Sequence, residues 1–162
     1  MTDSIVLIGM PGAGKSTVGV LLAKSVGYDF IDSDLVIQRR QNATLDKILA
    51  QKGYAALRSI ESEVLLSLNL GNTVLATGGS AVYSAEAMQH LAQQATIVYL
   101  RCTLPTIEQR LGDWGSRGVA SPAGASIEAI YRERTALYQQ FADKVVDVDA
   151  LSPDQVVEKI KA

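Results

Sequence analysis

Apolar and polar positions alternate along this chain between two patterns, short continuous apolar runs and segments with helical spacing. Ile5-Val6-Leu7-Ile8 is a continuous run and predicts a buried strand. Lys15 to Val26 follows as a helix, with Gly27 as its C′ residue. Tyr28 to Asp32 predicts a second strand, and Ser33 to Gln41 a helix ended by Asn42. Thr44 is placed to cap a helix from Leu45 to Gln51 that Gly53 closes. Tyr54 to Leu70 carries Leu57, Ile60, Val64, Leu65 and Leu68 at a helical period. Thr73 to Thr77 predicts a third strand, Ser84 to Gln93 a helix, and Thr96 to Leu100 a fourth strand. Leu104 to Leu111 and Ser126 to Ala142 predict helices, Lys144 to Val148 a fifth strand. Pro153 to Lys161 closes the chain as a helix with Ser152 as its cap.

Continuous apolar strands separated by helices predict a parallel sheet covered on both faces. In such sheets ligands bind at the carboxyl ends of the strands, so the residues after each strand are the ones to read for chemistry. The segment 112–124 breaks the alternation: it is rich in Gly, Ser and Pro and has no period. A loop of that length inside a domain suits a mobile lid over a bound ligand.

Composition narrows the class without changing this picture. The chain has 162 residues, 48% hydrophobic and 20% charged, as expected of one soluble globular domain. A net charge of -2 gives no general case for binding nucleic acid or an anionic membrane. The single cysteine, Cys102, excludes an internal disulfide and suits a reducing compartment; it reads as a small filler at a strand end. The one histidine, His90, reads as a surface residue, and no metal-site spacing of Cys and His is present. No basic segment leads a leader-like apolar run, and no run is long enough to span a bilayer. A cytoplasmic location is expected, with no nucleic-acid or membrane partner.

The chemistry begins directly after the first strand. Gly9-Met10-Pro11-Gly12-Ala13-Gly14-Lys15-Ser16-Thr17 fits Gly, four residues, Gly-Lys-Ser, between a strand and a helix. The glycines let the backbone curl toward phosphate oxygens, and the following helix adds unpaired N–H donors and its positive dipole end. Lys15 suits the β and γ phosphates, and the Ser16 hydroxyl suits Mg²⁺. A nucleoside triphosphate is therefore the expected ligand.

The other strand ends ask what receives the phosphate. Asp32 and Asp34 leave the second strand two residues apart. One carboxylate can hold Mg²⁺, directly or through water, and the other can accept a hydroxyl proton. Helix capping explains an Asp there equally well. Thr77-Gly78-Gly79-Ser80 brings backbone N–H groups near a ligand, or is an ordinary turn. Arg58 and Glu61 stand three apart and can pair, which is also what a solvated surface pair of little consequence would look like. If Arg58, Arg117, Arg132 and Arg134 converge, the acceptor carries a negative charge suited to bidentate guanidinium contact.

Taken together, the residues resemble the shikimate kinase family of the nucleoside-monophosphate-kinase-like P-loop proteins. The likeness rests on 9–17, Phe30 to Asp34, Arg58 with Glu61, Ala76 to Gly79, Arg110, and Arg134 with Leu137-Tyr138, and it covers essentially the whole chain. It implies a five-stranded parallel α/β sheet in the order 2-3-1-4-5. It implies that Gly12, Ala13, Gly14, Lys15, Ser16 and Thr17 hold ATP, with Ser16 and Asp32 serving Mg²⁺, the latter through water. Asp34 becomes the base at the acceptor hydroxyl. Arg58 and Arg134 hold the acceptor carboxylate, Glu61 orients Arg58, and Gly78, Gly79 and Ser80 border the acceptor. Arg117 reaches in from the lid, and Arg110 and Pro153 flank adenine. With Lys15 and Asp34, Arg117 completes the implied catalytic set.

Two positions depart from the family pattern: Ser80 replaces a third glycine, and Gly118-Val119-Ala120 follow Arg117 in place of Pro-Leu-Leu. A hydroxymethyl group at 80 either crowds the acceptor ring or adds a hydrogen bond. The implied activity is ATP-dependent phosphorylation of shikimate. A kinase for another hydroxy acid or sugar acid is the alternative that Ser80 raises. A nucleotide-binding module without catalysis is a third, against which Lys15, Asp32 and Asp34 argue.

Overall fold

The computed structural model describes residues 3–112, 121–122 and 124–162. Most of the 112–124 segment, Arg117 included, lies outside the described residues. Its five strands are β1 (Ser4–Ile8), β2 (Asp29–Asp32), β3 (Thr73–Ala76), β4 (Ala95–Arg101) and β5 (Lys144–Asp147). They form one parallel sheet in the order β2-β3-β1-β4-β5. Helices α1 (Lys15–Val26), α2 (Ser33–Gln41), α3 (Leu45–Lys52), α4 (Tyr54–Ser67), α5 (Ala85–Ala92), α6 (Leu104–Leu111), α7 (Ile127–Phe141) and α8 (Pro153–Lys161) connect and cover the strands.

β1 lies in the middle because it is apolar on both faces: Val6, Leu7 and Ile8 are completely buried. The edge strands β2 and β5 are only partly covered, so their apolar runs are shorter and mixed with Asp and Lys. Leu7 pairs with Ala76 on one side and Val98 on the other, which aligns the carboxyl ends of β1, β3 and β4. Thr77 fastens that end: its N–H and hydroxyl both donate to the Leu7 carbonyl, at 3.2 and 2.8 Å. The chain leaves β1 toward one edge and β4 toward the other, which opens a crevice beyond their carboxyl ends.

Among the described residues two apolar clusters carry the fold. The large one surrounds the central strands with α1, α5, α7 and α8; the small one has Ile37, Ile48, Leu57 and Val64 as its buried members. The small cluster packs α2, α3 and α4 together beside the crevice.

Several boundaries differ from the reading of the sequence. Thr44 occupies the cap position of α3, but its side chain makes no capping bond; Gln38 reaches over from α2 and its Oε1 accepts from Leu45 N at 3.0 Å. α4 stops at Ser67 rather than Leu70, because Leu68 turns to extended backbone. His90 is half-buried, not on the surface: its Nε2 bonds the freed Leu68 carbonyl at 2.8 Å, and Gln94 joins the same carbonyl at 3.1 Å. Thr77 lies past the end of β3, and a short 3₁₀ turn, Ala81–Tyr83, follows Ser80. Cys102 is buried directly after β4, as its reading as filler requires.

Candidate active site

The phosphate loop is held open by backbone conformation. Gly12 and Gly14 have φ of 84° and 96°, in the left-handed region where a side chain is strained. The first intrahelical bond of α1 runs from Val18 N to Gly14 O at 2.8 Å. The N–H groups of Lys15, Ser16 and Thr17 precede it and are therefore available to an anion. Lys15 is buried and its ammonium turns back across the loop, donating to the Gly9 carbonyl at 2.5 Å and the Met10 carbonyl at 2.9 Å. Burial lowers its pKa to about 8, opposed by the negative charge of Asp34.

Asp32 answers both readings of its sequence position. Its Oδ1 caps α2 by accepting from Asp34 N at 2.9 Å, and its Oδ2 accepts from the Ser16 hydroxyl at 2.8 Å. A hydroxyl and a carboxylate so joined at the start of a phosphate loop fit Mg²⁺, a hard cation that takes oxygen ligands. No cluster of three or more His, Cys, Asp or Glu that would cage a metal is found among the described residues.

Asp34 stands at the mouth of α2 with its pKa raised to about 6, first by burial and then by the charge of Asp32. Glu61 on α4 is 5% exposed, and burial raises its pKa to about 7. Both carboxylates close on the turn after β3. A Cβ at Gly78 would run into the Glu61 carboxylate and come within 2.8 Å of Asp34 Oδ1. Arg134 on α7 is completely buried and lies against Gly79, while the Tyr138 hydroxyl donates to the Gly79 carbonyl at 2.5 Å. Ser80 adds a hydrogen bond: its hydroxyl donates to Glu61 Oε1 at 2.6 Å.

These groups face a cavity of about 390 Å³. The loop and α1 contribute Gly12, Gly14, Lys15, Ser16 and Thr17 to its lining. Asp34, Glu61, Gly78, Gly79, Ser80 and Arg134 supply the rest of the polar lining together with Thr77. Ile37, Leu45 and Leu57, which the sequence marks only as parts of helices, form an apolar wall. Periodicity marks such residues as buried but does not tell a core from a cleft.

Other expected residues stand outside that lining. Ala13 is buried beneath the loop. Arg110 lies against its outer side, donating to the Gly12 carbonyl at 2.9 Å. Pro153 is exposed at the first turn of α8. Arg117 is not among the described residues. Arg132 does not join the others; it pairs with Glu128 one turn earlier at 2.7 Å, on the surface. The expected Arg58–Glu61 pair is not formed. Glu61 accepts from Ser80, whereas Arg58 lies over the rings of Tyr83 and Tyr54, at 4.1 and 5.5 Å from their centroids. Spacing on one helix made the two residues neighbours, but Glu61 found a closer donor in another element.

The family model for shikimate kinase matches residues 11–162. The chain belongs to the shikimate kinase family. Relatives within it include shikimate kinase 2 of Sodalis glossinidius, 35% identical over 99% of this chain and 94% of that one. The shikimate kinase of Methylococcus capsulatus is 38% identical over 97% of this chain and 89% of its own. A solved structure of shikimate kinase from Acinetobacter baumannii in complex with shikimate superposes with a TM-score of 0.86, at 30% identity over 99% and 92% of the two chains. For a shikimate kinase family member, the sheet order and phosphate loop are those that the sequence implied, and the family uses ATP as phosphate donor. Among the described residues no helix is long and apolar enough to cross a membrane.

Proposed function

We propose that this chain transfers the γ-phosphoryl group of ATP to a hydroxyl of shikimate, giving shikimate 3-phosphate and ADP. The observation that carries the reading is the convergence on one cavity of the phosphate loop with Asp34, Glu61 and Arg134, in a member of this family. The relative solved with shikimate supports the acceptor.

In this reading the acceptor oxygen forms a bond to the γ-phosphorus as the bond from that phosphorus to the β–γ bridging oxygen breaks. The hydroxyl proton passes to Asp34, which is mostly ionised at neutral pH with a pKa of about 6. Lys15, still mostly charged below its pKa of about 8, turns from the loop carbonyls to the phosphates. Ser16 and Asp32, through water, would hold Mg²⁺, which neutralises charge on the β and γ oxygens. Gly12 to Thr17 hold the phosphates with backbone donors, and Arg110 and Pro153 flank adenine. Gly78 and Gly79 border the acceptor, Arg58 and Arg134 hold its carboxylate, and Arg117 reaches the phosphates from the lid. The enzyme acts as a cytoplasmic monomer on this small molecule.

A coupled assay of ADP release with shikimate and Mg·ATP tests the reading. Saturable, shikimate-dependent turnover is expected. No turnover at millimolar shikimate overturns the acceptor, and its replacement by another hydroxy acid in a substrate panel redirects it.

A further inference from the structure

We infer that Tyr83 is a positioning residue that sets the two acceptor-side arginines, Arg58 and Arg134, for an anionic carboxylate. This role rests on the acceptor reading given above. Tyr83 ends the 3₁₀ turn that follows Ser80, and it contacts both guanidinium groups. Arg58 lies 4.1 Å from the ring centroid and Arg134 5.4 Å. The Tyr83 hydroxyl also receives a long contact from Arg134 Nε at 3.4 Å.

The arrangement answers an electrostatic difficulty. Two guanidinium groups must be brought near each other before an anion arrives, and like charges repel. Glu61, three residues after Arg58, is engaged by Ser80 at 2.6 Å instead of by Arg58. The negative face of an aromatic ring offers both cations a shared neighbour that carries no net charge. A carboxylate at Tyr83's place would compete with the acceptor for both guanidinium groups; a ring orients them without that competition. The same turn thus carries both substitutions of partner: Ser80 takes Glu61, and Tyr83 takes the arginines.

The test is steady-state kinetics with shikimate and with its methyl ester, which lacks the anionic carboxylate. For Tyr83→Leu, KM for shikimate is expected to rise about tenfold, with kcat and KM for ATP within about twofold of wild type. The preference for shikimate over the ester, as a ratio of kcat/KM, should fall about tenfold with it. Tyr83→Phe keeps the ring and should stay within about threefold of wild type on both readouts. An unchanged acid-over-ester preference in Tyr83→Leu overturns the role, even where stability or kcat falls, because a merely structural loss would not be selective for charge. Should Tyr83→Leu fail to fold, Tyr83→Met carries the same comparison. Wild-type protein without shikimate turnover refutes the acceptor reading itself and this role with it, and that result is read before any variant is made.

Discussion

The two halves of the cleft are built in different ways. The nucleotide half is one continuous stretch, Gly9 to Thr17, and its shape is mainly backbone: left-handed glycines, N–H groups and the start of α1. It is rooted in β1, whose Val6, Leu7 and Ile8 are completely buried, and in the large apolar cluster. The acceptor half is assembled from side chains on α2, α4, the turn after β3 and α7, drawn from positions 34 to 134. Its helices α2 to α4 rest on a small cluster of their own. The halves meet where Pro11 packs against Gly79. A loop made of backbone is specified locally and tolerates little change. In a site made of distant side chains, neighbours along a helix can take different partners, as Glu61 does with Ser80 and Arg58 with Tyr83.

The largest effects should come where the halves touch the reacting atoms. Lys15→Ala and Asp34→Ala are each expected to lose about 10²–10³ in kcat. Single-turnover assays check this, and an Asp34→Ala enzyme near the wild-type rate would break the division of labour between the halves.

Next is the buried charge on the acceptor side. Glu61 has a pKa of about 7 in the folded protein against 4.5 for the free side chain, and Asp34 about 6 against 3.8. Between each pair of values the folded protein holds a proton that the unfolded chain has released. Stability of the ligand-free protein should therefore be fullest below about pH 4 and fall as pH rises toward 7. The Glu61 part is worth at most about 3 kcal/mol. Thermal melts against pH should show Glu61→Gln with a shallower decline above pH 6, where Asp34 is already half ionised. A decline that persists unchanged above pH 6 in that variant would remove Glu61 as its source.

A smaller effect separates the halves by substrate. Gly78→Ala forces a methyl group into the Glu61 and Asp34 carboxylates, at a cost of about 1–3 kcal/mol. KM for the acceptor should rise while KM for ATP stays near wild type; equal loss of both would show the halves to be one rigid unit.

The smallest change is Ser80→Gly. It removes the hydroxyl bond to Glu61, worth about 1 kcal/mol, or a fall of about 2–4 °C in Tm for a chain of this size. That bond favours ionised Glu61, so the pH-dependent decline should extend to higher pH while its onset stays in place. A rise in Tm would mean that Ser80 strains the turn.

Much of this was legible beforehand, for reasons that differ by residue. β1, the loop and α1 were readable because strand, glycines and helix start are neighbours in the chain. α2, α6 and α8 have the bounds read from the sequence, where Asn42 ends the first and Pro105 and Pro153 open the other two. The Gln38 cap of α3 and the His90–Leu68 contact were not readable, because each joins elements whose packing no local pattern encodes. Tyr83 gave no signal at all: one aromatic residue after a glycine turn looks like ordinary core.

By itself the sequence determined what depends on neighbours along the chain: alternating strands and helices, a phosphate loop, a cap at Asp32, and a family likeness that names the acceptor chemistry. Only the tertiary structure decided which distant side chains share a bond. Ser80 meets Glu61 because β3 is in register with β1 and α4 packs beside the turn that follows it. Arg58 and Arg134, 76 positions apart in the chain, meet one ring because α4 and α7 both lie against that turn. Such contacts are settled by the packing of whole elements, where a hydrogen bond of 2.6 Å outcompetes a neighbour on the same helix.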